Sequence, residues 1–153
     1  MARWTGFFNS SGSPALKISL CGAAKQVSKE FEAIVDTGFT GFLAMSMVEA
    51  FPLGLILTGS SKTILADGSA TNDLRALGTV VVGNEERVGT ILLSAAAGAI
   101  LVGMEFLTAF EKTLFVCTAS GSSVVVLMDN SEFKQFAQKE APKGPPAAGP
   151  APA

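Results

Sequence analysis

No histidine occurs among the 153 residues, which removes the usual base for a serine or cysteine nucleophile and a common zinc ligand. Cysteine is scarce too. Cys21 and Cys117 are the only two, they form no CxxC spacing, and they read as buried free thiols, so no metal and no cofactor is expected. Charge of one sign is missing: 11 basic and 13 acidic residues are scattered along the chain for a net charge of −2. No run of Lys or Arg follows a phosphate backbone, and no nucleic-acid partner is expected. A long apolar run is absent as well. Between Met1 and Ala24, polar residues 9–13 and Lys17 leave no apolar core for a signal peptide, and a cytoplasmic location is expected. The longest uncharged stretch, Val88 to Met104, contains Gly89, Gly98, Gly103, Thr90 and Ser94. It reads as two buried strands joined by a turn, with a membrane anchor as the weaker reading; no membrane partner is expected.

What is present is apolar. The chain is 48% hydrophobic with a mean hydropathy of +0.44, so much of it must be hidden in a core or against another subunit. Its length suits one domain. Leu16, Ile18 and Leu20 alternate with Lys17 and Ser19, the period of a half-buried strand over 15–21. Residues 22–25 supply a turn, and 26–36 form the hairpin partner, ending in Ala33-Ile34-Val35 before the break at Asp36-Thr37-Gly38. A short helix is expected over 44–51, with Ser46 as N-cap and Glu49 three residues on. Strand patterns follow at 55–57, 62–65, 70–82, 88–93, 100–102, 114–117 and 124–128, with Asp67-Gly68 as a tight hairpin turn. A second short helix is expected over 105–111 and an amphipathic turn or two over 131–138. The expected organisation is a flexible N-terminus at 1–13, an all-β domain over 14–138 with one or two short helices, and a disordered tail over 139–153. That tail holds five of the seven prolines and no apolar residue larger than alanine.

The chemistry points to Asp36, an acid at the sharp end of an apolar strand. Two such groups brought together from two chains do not both ionise; they share one proton, so one serves as base and the other as acid. Such a pair activates a water against a peptide carbonyl without a metal or a histidine.

The string Ala33-Ile34-Val35-Asp36-Thr37-Gly38 resembles the active-site strand and loop of retropepsin-like aspartic proteases. Ile100-Leu101-Val102-Gly103, followed by the helix expected at 105–111, is similar to that family's two hydrophobic residues plus glycine, which pack behind the catalytic loop. The hairpin tip Ala66-Asp67-Gly68-Ser69 lies between them, where the family carries its flap. The order matches, over about residues 15–116, and the stretch 36–43 is similar to bacterial and archaeal single-domain members. The tip is less glycine-rich than in viral members. The resemblance implies a closed barrel, a homodimer and an aspartic endopeptidase acting on a peptide or protein substrate. It implies that Asp36 of each chain holds the attacking water, Thr37 ties the two loops together, Gly38 allows close approach and the flap closes over an extended substrate.

Each element has a plainer reading. Asp36-Thr37-Gly38 alone is also a strand-ending turn, Asp67-Gly68 an ordinary solvated hairpin tip, and Ile100 to Gly103 a core strand in either case. Phe39, Phe42 and Leu43 read as core or pocket wall, and Asp73 and Asp129 as solvated. The rival function is a catalytically silent protease-fold module that binds peptides or serves as a dimeric scaffold.

Overall fold

The computed structural model describes residues 3–95 and 98–140. The tail expected beyond residue 140 and two residues of the run at 95–98 lie outside the described residues. The chain opens with β1 (Trp4–Thr5) and β2 (Phe7–Phe8), then β3 (Pro14–Cys21), β4 (Ser28–Val35) and β5 (Leu43–Ser46). Helix α1 (Met47–Ala50) and a 3-10 turn over Phe51–Leu53 lead into β6 (Ile56–Ile64), β7 (Ala70–Val82) and β8 (Glu85–Ser94). There follow β9 (Ile100–Val102), α2 (Met104–Ala109), β10 (Lys112–Ala119), β11 (Ser122–Asp129) and α3 (Asn130–Glu140). The fold is mostly strand with a few short helices.

Alternation in β3 is what the sequence requires: Leu16, Ile18 and Leu20 are buried while Lys17 is exposed. Full burial of each such side chain contributes about 1.5–3 kcal/mol. Strand β4 lies antiparallel to β3, with Phe31 opposite Ile18. On its other side β9 runs parallel to β4, Val102 opposite Val35. Strand β5 is antiparallel to β9 and parallel to β8, and so lies between those two strands. Strand β7 pairs antiparallel with β6, β8 and also β3, where Val80 meets Leu20. The pairings therefore run β3-β4-β9-β5-β8-β7 and return to β3. A second sheet, ordered β1-β11-β10, leaves β10 as an edge among the described strands.

The two sheets meet over an aromatic cluster. Trp4 and Phe110 lie with ring centroids 5.0 Å apart, Phe106 and Phe110 4.7 Å, and Phe42 and Phe106 5.6 Å. Beneath Trp4, the Lys112 side chain is 0% exposed, its Nζ 4.5 Å from the ring centroid. Burial opposes its charged form. Glu85 at 2.8 Å and the directly bonded Asp129 outweigh that and raise its pKa above the ordinary lysine value.

Several expectations need correction here. Residues 4–8 do not belong to a flexible N-terminus: β1 pairs with β11, β2 pairs with β3, and Trp4 is buried. Residues 139 and 140 continue α3 rather than starting the tail. The segments at 55–57 and 62–65 fall, but for Leu55 and Leu65, in one strand, β6, with a register shift between Leu57 and Gly59. Asp73 is buried, its carboxylate accepting from the Thr71 hydroxyl, and Asp129 partners Lys112. Cys21 is buried, but Cys117 is exposed because it lies on the outer half of β10. Among the described residues no helix is long and apolar enough to cross a membrane; 88–94 lie in β8, 100–102 in β9, and Met104 opens α2.

Candidate active site

Strand β4 delivers Asp36 from a run in which Ala33 and Val35 are fully packed. The Asp36 N–H donates to the Val102 carbonyl at 2.9 Å, extending the β4–β9 ladder by one rung before the chain turns. Its carbonyl accepts from Phe39 N–H at 3.1 Å, and its Oδ1 from Gly38 N–H at 2.9 Å. The loop thus orients its own carboxylate. Asp36 is half-buried, whereas Thr37 and Gly38 are exposed.

The rest of the loop is braced from behind. Gly103 N–H donates to the Phe42 carbonyl at 3.2 Å, Met104 N–H to Phe39 at 2.9 Å and Glu105 N–H to Thr40 at 3.1 Å. The first N–H groups of a helix have no partner within it, and here the loop carbonyls supply partners. Close approach is essential, since a Cβ on Gly103 would stand 2.3 Å from the Phe39 carbonyl oxygen and 2.4 Å from that of Gly41. Ile100 and Val102 are buried beneath, and Leu101 is half-buried opposite Ile34. The structure therefore brings Asp36, Thr37 and Gly38 together with Ile100, Leu101, Val102 and Gly103. Sequence reasoning missed the Met104 and Glu105 N–H donors; the only signal for them was a glycine directly before a helix.

The β6–β7 hairpin forms a largely exposed arm. At its tip Gly68 N–H donates to the Leu65 carbonyl at 2.9 Å, and Leu65 N–H to Ser69 at 2.8 Å. Gly68 has φ 84°, a left-handed conformation that suits glycine. Asp67 Oδ1 accepts from the Ser69 hydroxyl at 2.6 Å and from its N–H at 2.8 Å, bonds that hold the carboxyl below its usual range. Ala66, Asp67, Gly68 and Ser69 are all exposed, and no hydrogen bond among the described residues ties them to the Asp36 loop. Ile64, just before the tip, is 73% exposed.

Between arm and loop lies a cleft of about 590 Å³. Gly38 through Leu43 line one side, Ser61, Thr63 and Ile64 of the arm another, and Arg75, Thr90 and Leu92 complete the wall with Glu105. Phe39 is half-buried at its edge and Phe42 and Leu43 are buried, so these three serve as wall and core. The polar cleft residues Ser61, Thr63, Arg75 and Thr90 carried no motif in the sequence. A second hollow of about 340 Å³ opens beside Thr37, lined by Met104, Thr108, Thr113 and Leu114 among others. Each chain carries one Asp36, and among the described residues no group of three His, Cys, Asp or Glu side chains is arranged to hold a metal.

No family model matches the chain, and no curated protein matches it by sequence. Among solved structures it is similar to the crystal structure of a retropepsin-like aspartic protease from Rickettsia conorii, with a TM-score of 0.53 and 20% identity. The match covers 82% of this chain and 90% of that one. At that identity the likeness is one of fold, and the fold is that of a retropepsin-like aspartic protease.

Proposed function

We propose that this protein is an aspartic endopeptidase whose site is completed by a second copy of the chain. The observation that carries the reading is the self-oriented Asp36 carboxylate at the end of β4, in a loop braced by Gly103 and α2 beside a hairpin-walled cleft. One carboxylate is half of the chemistry. In the dimer two Asp36 side chains share a proton and a water; the ionised one draws a proton from the water as it attacks the peptide carbonyl, and the other protonates the carbonyl oxygen. The strand circuit is then a closed barrel, and the Ala66–Ser69 tip a flap closing over a substrate held as an extended strand.

The surface around Thr37 supports a partner there. Thr37 is exposed beside Met104, and β10 continues from Thr113 and Leu114 to the exposed Phe115 and Val116 on a strand edge that is unpaired among the described residues. Apolar side chains on an open edge are suited to association, and Thr37 then meets its counterpart across the two-fold axis.

The test is cleavage of a mixed peptide library, read by mass spectrometry from acidic to neutral pH, for wild type and Asp36→Asn. Cutting by the wild type alone is the expected result. No cutting by either protein, with both folded and dimeric, refutes the peptidase and leaves a peptide-binding or scaffold module.

A further inference from the structure

The cleft contains a cation whose role the peptide-bond chemistry does not explain. Arg75 lies on β7 opposite Leu92 of β8, and both line the cleft with Ser61 and Thr63 of the arm. Its one hydrogen bond here, from Nη2 to the Ser61 hydroxyl, is 3.3 Å long, and it enters no ion pair among the described residues. Arg3, Lys25 and Lys112, in contrast, each face a carboxylate. A guanidinium carries five N–H donors in a planar fork matched to a carboxylate. Arg75 is exposed, and its other N–H groups have no acceptor among the described residues.

We infer that Arg75 is a specificity-determining residue that selects peptides carrying an Asp or Glu side chain where the bound strand passes Ser61 and Leu92. This rests on reading the cleft as the place where the peptide lies. Two other acids bear on it. Asp73, two residues before Arg75 on the same strand, is buried and takes its hydrogen bond from Thr71. Glu105 also lines the cleft and by itself would favour a basic residue. Glu105 stands on α2 behind the loop, whereas Arg75 lies opposite Leu92 and bonds Ser61, so the acidic side chain is read where the strand passes those two residues. An incoming carboxylate replaces water on the free fork and keeps the Ser61 bond. A lysine side chain at the same place meets a like charge.

The experiment separates this inference from the peptidase reading by scoring binding as well as cutting. The Asp36→Asn protein is exposed to a random peptide library and the bound sequences are read; the wild type is tested for cleavage of the same library. Expected is an enrichment of Glu over Gln of about tenfold at one position, as one charge-assisted hydrogen bond supplies. Adding Arg75→Gln abolishes that enrichment, and adding Arg75→Glu turns it toward Lys. Cleavage without an acidic preference, or with one that survives Arg75→Gln, overturns the role of Arg75 and leaves the peptidase standing; binding without an acidic preference and without cleavage overturns both and leaves a peptide-binding module. Absence of both binding and cleavage overturns the peptide cleft and this inference with it.

Discussion

Replacing Gly103 with alanine adds a single methyl group at the point where β9 and α2 support the Asp36 loop. That Cβ would stand 2.3 Å from the Phe39 carbonyl oxygen and 2.4 Å from that of Gly41, roughly 1 Å inside ordinary contact. Both neighbours are backbone and cannot swing away. Relief requires moving the loop off the helix, which lengthens the Gly103–Phe42 and Met104–Phe39 bonds of 3.2 and 2.9 Å. Two weakened hydrogen bonds at about 1 kcal/mol each, plus residual overpacking of about 1 kcal/mol, give a loss of about 3 kcal/mol. For a domain of this size that lowers Tm by about 6–12 °C. Calorimetry on wild type, Gly103→Ala and Gly98→Ala tests the reasoning, because a Cβ on Gly98 meets nothing within 4 Å. The displaced loop also carries Asp36, so peptide cleavage falls in Gly103→Ala while Gly98→Ala keeps it. A Gly103→Ala protein with unchanged Tm and activity refutes the brace.

Three further outcomes follow from the same structure. Lys112→Met leaves Asp129 and Glu85 without their buried partner and costs about 3–5 kcal/mol, measured by urea unfolding. Because the Lys112 pKa is raised, its stabilisation is complete below the ordinary lysine value and lost as pH climbs through the higher folded value; unfolding between pH 9 and 12 shows this loss in wild type and not in Lys112→Met. Peptidase activity per chain falls on dilution as the subunits separate, and sedimentation shows a dimer at working concentration; a strictly monomeric active enzyme overturns the shared site.

Much of the local structure was legible because it depends on short-range rules. The Leu16, Ile18, Leu20 alternation marks β3, and Ser46 caps α1 by accepting from Glu49 N–H at 3.3 Å. The Asp67-Gly68 pair lies in the expected turn, though only Gly68 takes positive φ and the hairpin closes through three residues, 66–68. Trp4 was misplaced because its burial comes from β11, far along the chain, and from Phe106 and Phe110. Asp129 reads as solvated and Lys112 carries no signal for a similar reason: a charge is read as solvated unless its partner is known, and Glu85 is brought to Lys112 by the β7–β8 turn. Arg75 carried no signal in the sequence: it is exposed, and only the pairing of β7 with β6 and β8 puts it on the wall of the same cleft as the Asp36 loop.

By itself the sequence determined an apolar, mostly β chain without histidine, and an acid at the end of a buried strand. Those properties reside in residue type and in periods of two residues. The tertiary structure alone decided that β9 lies between β4 and β5, so that the Asp36 N–H bonds Val102 and Gly103 meets the loop. It also decided which polar side chains face the cleft. Strand pairing across distant segments is set by how the whole apolar surface is best buried together, and no local period encodes that choice.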